Sequence, residues 1–209
     1  ASDVYKRQYP DNQKHMCFGY YASVTYMDEQ VGRIVDELEA QGLRDETVIV
    51  FTSDHGYHLG EHHFWQKSNL HEEALRVPLI ISAPGFRGGR SAAMVELMDI
   101  YPTVAELSGL SIPDSVQGES LVPILNDPNQ QVREAALSID RRGYALRTKR
   151  WAYIRYNDDT EELYDMVSDP GQITNLAFNP EKRAELQIWH KKLDARLKQA
   201  GLKRKAKKG

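Results

Sequence analysis

The sequence predicts an α/β fold joined to a C-terminal subdomain of short antiparallel strands and a helix, and three features predict it. A helical apolar period gives way to an unbroken β-branched run. Helix and strand signals then alternate. Finally, four closely spaced strand signals precede a last amphipathic stretch.

Over residues 21–40 the apolar positions Val24, Met27, Val31, Ile34, Val35 and Leu38 recur at three- and four-residue spacing, and Gly42 follows as a stop. This predicts a helix with one buried face. Thr47-Val48-Ile49-Val50-Phe51-Thr52 lacks polar alternation, as in a strand covered on both faces and central in a parallel sheet. Pro78-Leu79-Ile80-Ile81-Ser82 reads as a second such strand, closed by Ala83-Pro84-Gly85. Asp99-Ile100-Tyr101-Pro102 opens another helix, with Val104, Leu107 and Leu110 on one face and a stop near Gly109. After Pro113, Pro123 and Pro128, the runs at 135–139, 144–147, 151–156 and 162–164 are joined by connections short enough to demand antiparallel hairpins. A last helix over 181–198 offers Leu186, Ile188, Trp189, Leu193 and Leu197 for packing.

These signals divide the chain into residues 1–19 as an N-terminal remnant, 20–126 as part of an α/β domain, 127–201 as the antiparallel subdomain and 202–209 as a basic tail. Residues 1–8 show neither an apolar core nor an amphipathic pattern and read as a cloning scar or sequence read-through. The chain of 209 residues, 41% hydrophobic, is long enough to bury a sizeable core. Its longest apolar run is far short of a membrane span. Net charge is −3 although the last seven residues hold five positive charges, so the rest is acidic and a general nucleic-acid surface is not expected. The tail reads as a solvated end. One cysteine, Cys17, excludes an intrachain disulfide and a cysteine-based metal knuckle.

The chemistry concentrates between the two buried runs. Five of seven histidines, His55, His58, His62, His63 and His71, fall there with Asp54, Glu61, Glu72 and Glu73. Clustered imidazoles and carboxylates are what a metal or oxyanion site requires. Asp54-His55-Gly56 directly follows the strand, and in open α/β sheets ligands bind at the carboxyl ends of strands. Gly56 permits a sharp turn there.

The segments Thr52-Ser53-Asp54-His55-Gly56, Leu59-Gly60-Glu61-His62, Trp65-Gln66-Lys67 and Arg76-Val77-Pro78-Leu79-Ile80 resemble the C-terminal motif block of formylglycine-dependent sulfatases, of the alkaline-phosphatase-like superfamily. The iduronate-2-sulfatase-like branch is the most similar. The likeness extends through Tyr20-Tyr21-Ala22-Ser23-Val24 upstream and Glu162-Leu163-Tyr164-Asp165 and Asp169-Pro170-Gly171 downstream. It implies an alkaline-phosphatase-like parallel or mixed sheet and hydrolysis of a sulfate ester on a sugar or glycosaminoglycan. A periplasmic, secreted or lysosomal-type location is also implied. Asp54 and His55 match the second pair of ligands to a calcium ion, although their chemistry also admits zinc, magnesium or manganese. Lys67 matches the lysine that contacts the sulfate and is the candidate catalytic residue. Tyr57 and His62 are candidate substrate contacts. Glu61, His63 and His71 are candidates for orienting ligands or substrate, with a structural role as the alternative. Trp65 is expected to pack, and Arg76 to pair with Glu72 or Glu73.

One departure limits the resemblance. The formylglycine nucleophile arises from Cys or Ser in Cys/Ser-x-Pro/Ala-x-Arg, whereas Cys17 is followed by Phe18-Gly19 and no serine begins that motif. The chain therefore reads as a C-terminal part whose partner is the N-terminal half of the same protein, and as inactive alone. Three other readings stand beside it. A phosphodiesterase or phosphonate monoester hydrolase of the same superfamily needs similar cations. The segment His58-Leu59-Gly60-Glu61-His62 matches H-x-x-E-H of zinc peptidases, although Gly60 disfavours the helix that motif needs. A non-catalytic structural or binding role is the third.

Overall fold

The computed structural model describes residues 10–202, so the scar expected at 1–8 and the tail beyond 202 lie outside the described residues. The chain forms two compact units. One runs to Lys67 and includes Arg76–Gly85; the other comprises Ser68–Leu75 and the chain from Phe86 onward.

In the first unit, α1 (Pro10–Ala40) begins well before residue 21, with Asp11 in its first turn. Negative charge there complements the helix dipole, and the polar residues that follow mask the start from an apolar-period argument. The expected stripe is present but is not buried by the described residues. Val31, Val35 and Leu38 are half-buried, whereas Val24, Met27 and Ile34 are exposed. Gly42 stops the helix with a positive φ of 67°.

The strand β1 (Ile49–Thr52) follows. A two-rung hairpin of β2 (His58–Leu59) and β3 (Trp65–Gln66) comes next, then β4 (Leu79–Ser82). The expected parallel, central arrangement of β1 is corrected here. β1 pairs antiparallel with β4 in the register Ile49↔Ser82 to Thr52↔Leu79, and β4 is its one partner among the described residues. Parallel pairing requires a crossover that carries the chain back along the sheet. The connection between these strands holds only the hairpin and a one-turn helix, α2 (Glu72–Leu75), so the chain re-enters running the opposite way.

The second unit, which includes α2, continues with α3 (Ile100–Leu107), preceded by a 3-10 turn and ended at Ser108-Gly109, as expected. A short helix, α4 (Val122–Asn126), follows. Asp99 is fully buried and accepts a bidentate pair from Arg133, which compensates the cost of burying its charge.

Four strands then form an antiparallel sheet in simple order: β5 (Ala136–Asp140), β6 (Gly143–Arg147), β7 (Trp151–Tyr156) and β8 (Glu161–Asp165). The expected hairpins are all present. Alternation along the strands divides the sheet into two apolar faces. Tyr144, Leu146, Tyr153 and Leu163 meet Trp189, Leu193 and Leu197 of α5 (Arg183–Gln199). Ile188 points elsewhere and is about half exposed, contrary to expectation. On the other face, Ala145, Ala152, Ile154, Tyr164 and Met166 surround Leu70, so the segment around α2 covers the side that α5 leaves open.

The β6–β7 rung is unusually close at Gly143, where a Cβ would overlap the Arg155 carbonyl and stand 2.8 Å from Tyr156 Cα. Backbone cannot yield as a side-chain tip can. Gly143→Ala is therefore expected to destabilise this unit by at least ~2 kcal/mol, read as a lowered midpoint in urea. An unchanged midpoint would show that the strands can separate at no cost.

Candidate active site

Thr52 ends β1, and the chain turns at once. Ser53 Oγ donates to the His55 carbonyl at 2.8 Å and so fixes the turn. Asp54 is left with a side chain that is 83% exposed, beside a partly covered His55. The imidazole orientation is defined by its neighbours. Nδ1 lies 2.8 Å from the Gly56 carbonyl and must donate to it, which leaves a lone pair on Nε2. Lys67 Nζ donates to that lone pair at 2.7 Å, and Asp54 Oδ2 stands 3.5 Å from the same nitrogen.

A short hairpin brings Lys67 back to His55. His58 pairs with Gln66 and Leu59 with Trp65, so the next step places Lys67 level with Tyr57. Glu61 holds the tip, accepting from Leu59 N at 2.6 Å. The tip also departs from ordinary backbone. Gly60 has φ 124°, while His62, His63 and Gln66 occupy positive φ at 52°, 60° and 78°. Left-handed conformations in residues with a Cβ cost of order 1 kcal/mol each and tend to gather at functional sites.

The structure thus brings Asp54, His55 and Lys67 together. Tyr57 lies in a neighbouring packing group, its ring 5.3 Å from that of Tyr20 on α1. The His62 ring stands edge-on to the fully buried His58 at 5.9 Å. His63 and Trp65 line a cavity of about 350 Å3 with Gln13 and Gly60. His71 falls in the second unit, where its Nε2 donates to Glu162. Glu72 pairs with Arg147 rather than Arg76, at 2.6 Å. The zinc-peptidase reading is excluded, because His58 lies on a strand and His62 in a left-handed turn, so they share no helical face.

Asp54 and His55 fit a divalent cation as part of its ligand set. A carboxylate oxygen and an imidazole lone pair 3.5 Å apart match two donors to one ion, which stand roughly 3.3 Å apart in a tetrahedral site. Carboxylate suits hard ions such as calcium, magnesium or manganese, and imidazole suits zinc. Among the described residues no group of three or more candidate ligands gathers.

Sequence reasoning missed the hairpin, the Glu61 tip contact and the His55 tautomer. It also missed Glu162, whose carboxylate accepts from His71 at 3.0 Å, Tyr164 at 3.0 Å and Tyr156 at 3.1 Å. Burial opposes ionisation of Glu162, but the hydrogen bonds from His71 and then the two phenols outweigh it and hold the carboxyl below its ordinary range. The stabilisation this provides is present above the carboxylate's usual pKa and is lost as pH falls through the lowered one.

Comparison with known proteins now bears on the whole chain. A family model described as Sulfatase matches residues 2–110, and one described as N-sulphoglucosamine sulphohydrolase, C-terminal, matches residues 60–201. Choline-sulfatase of Rhizobium meliloti (strain 1021) is 36% identical over 177 residues, covering 81% of this chain and 35% of that protein. The chain thus spans about a third of the length of the curated relatives it matches. A protein solved in complex with its substrate D-glucosamine-2-N,6-O-disulfate superposes with a TM-score of 0.80 at 33% identity, covering 86% of this chain and 40% of that one. A phosphonate monoester hydrolase of Agrobacterium radiobacter gives 0.75 at 29% identity, covering 84% and 40%. The expected fold class is therefore right, although the sense of the β1–β4 pairing was not. The chain belongs to the sulfatase family.

Proposed function

We propose that the protein hydrolyses sulfate esters, with a sulfated saccharide as the substrate class. In this reading Asp54 and His55 supply part of a divalent-metal site, Lys67 supplies a cation to the sulfate, and Tyr57 and His62 border the substrate. The contact of Lys67 Nζ with His55 Nε2 at 2.7 Å, beside the Asp54 carboxylate, supports it most directly. A saccharide is supported by the disulfated glucosamine substrate of the structural relative.

Calcium is the ion we assign, through Asp54. A divalent cation bound there would neutralise charge on the ester oxygens. The chain's own residues do the rest. The Gly56 carbonyl accepts a hydrogen bond from Nδ1–H of His55 and so keeps the Nε2 lone pair available. Lys67, exposed and strongly hydrated when free, exchanges its hydrogen bond to His55 for one to a sulfate oxygen. The nucleophile comes from the remainder of the longer protein, because no segment here carries the formylglycine motif.

Lys67→Ala in the full-length protein is expected to lower kcat/KM for an aryl sulfate by roughly 2 to 4 kcal/mol with the fold intact. Unchanged kinetics would make Lys67 an ordinary surface lysine. A second reading, phosphonate monoester hydrolysis, is favoured by the structural relative of that activity. Comparing kcat/KM for an aryl sulfate and an aryl phosphonate monoester decides between them, and a higher value for the phosphonate would overturn the sulfatase reading.

A further inference from the structure

Tyr57 stands two residues after His55 and level with Lys67 across the β2–β3 hairpin, so the chain places it beside both. A third element meets it. The Tyr20 ring of α1 packs on the Tyr57 ring, with centroids 5.3 Å apart and planes 31° from parallel. This is a tilted stack, at a separation that aromatic pairs favour. Tyr21 adds an edge-on contact to Tyr20 at 6.2 Å and 84°. One helical turn before Tyr20, Cys17 Sγ stands 3.9 Å from the Leu59 carbonyl. Residues three apart share a helix face, so one face of α1 carries both contacts with the segment 57–59. All of these residues belong to the same compact unit.

Neither ring is sealed in a core. Tyr57 is half-buried and Tyr20 is 37% exposed. A pyranose face presents polarised C–H bonds, which the negative face of an aromatic ring attracts while the sugar hydroxyls stay in water. Such a contact costs the ordering of the tyrosine's two χ angles. A ring already packed against a neighbour has lost part of that freedom before the ligand arrives, and binding is stronger for it.

We propose that Tyr20 is a positioning residue for Tyr57, holding its ring to stack on the pyranose that carries the sulfate, so that the pair supplies affinity for the sugar and not for the sulfate. This rests on the reading of Tyr57 as a substrate contact.

The test uses the full-length protein and two readouts. One is kcat and KM for the sulfated monosaccharide it turns over fastest in a panel of sulfated hexoses and hexosamines. The other is the inhibition constant of inorganic sulfate, which has no sugar to stack. Tyr20→Leu keeps an apolar side chain and removes the ring. It is expected to lower kcat/KM for the saccharide roughly 10-fold, mainly through KM, which is what an aromatic contact is worth. The sulfate inhibition constant should change by less than about twofold. Tyr20→Phe keeps the ring and should restore the saccharide KM. Tyr20→Met should behave like Tyr20→Leu, so the result does not hang on one variant folding, and thermal midpoints are read alongside. In a Tyr57→Leu background, Tyr20→Leu should cost less than about twofold further, since the ring it holds is gone. An equal weakening of saccharide and sulfate would overturn the proposal, because a general defect in the fold does not tell them apart. A saccharide KM unmoved by Tyr20→Leu and Tyr20→Met, or an undiminished loss in the Tyr57→Leu background, would overturn it too. Failure of both variants to fold would make Tyr20 a core residue, and no turnover of any sulfated monosaccharide would remove the sugar. If Tyr57→Leu alone leaves the saccharide kinetics unchanged, the reading of Tyr57 fails first, while the metal and Lys67 readings stand on their own tests.

Discussion

Asp54→Ala in the full-length protein is expected to lose bound metal and turnover together, with kcat/KM falling by more than about 100-fold. Asp54 is the only anion among the three residues that gather after β1, and it leaves an imidazole and an ammonium with no charge to hold a cation. The side chain is 83% exposed and stands 3.5 Å from His55, so the substitution removes little that supports the fold. Metal content by elemental analysis, kcat/KM and the thermal midpoint should therefore separate cleanly. The first two collapse and the third stays. Asp54→Asn keeps an oxygen donor without the charge and should fall between. Full metal occupancy in Asp54→Ala would remove Asp54 from the ligand set.

Residues 1–209 on their own are expected to hydrolyse no aryl sulfate, whether calcium, zinc or manganese is supplied. Ester cleavage by this family's route needs a nucleophile, and neither Cys17 nor any serine stands in the required motif. Cys17 sits within α1, with Sγ 3.9 Å from the Leu59 carbonyl, a weak contact that does not activate a thiol. Two ligands from one chain also hold a dication loosely. Turnover that survives Cys17→Ala yet disappears with Asp54→Ala would reveal another nucleophile within these residues.

The parts of the fold that were legible are those in which a local run or period reports burial directly. β6, β7 and β8 are short apolar-rich runs separated by tight connections, and α5 carries Trp189, Leu193 and Leu197 at four-residue spacing, so these elements followed from pattern. Direction is different. The β-branched run at Ile49–Thr52 reports burial, and nothing in its composition reports whether β4 runs with it or against it. The Asp54-His55 corner was legible because a strand end followed by glycine has a positional meaning. The hairpin that returns Lys67 was not. Its strands are two residues each, and its turn uses left-handed histidines instead of the Asn-Gly or Gly pairs that announce a tight hairpin. His71 was legible as a polar residue of the cluster but not as a partner of Glu162, 91 residues away, since no local signal encodes so distant a hydrogen bond.

The most direct test of the three-residue centre is a crystal structure of the full-length protein with a divalent cation and inorganic sulfate. The account predicts that Asp54 and His55 Nε2 both ligate the cation, and that Lys67 Nζ leaves His55 for a sulfate oxygen. A cation bound without either residue, with Lys67 still hydrogen-bonded to His55 and the sulfate elsewhere, would contradict it.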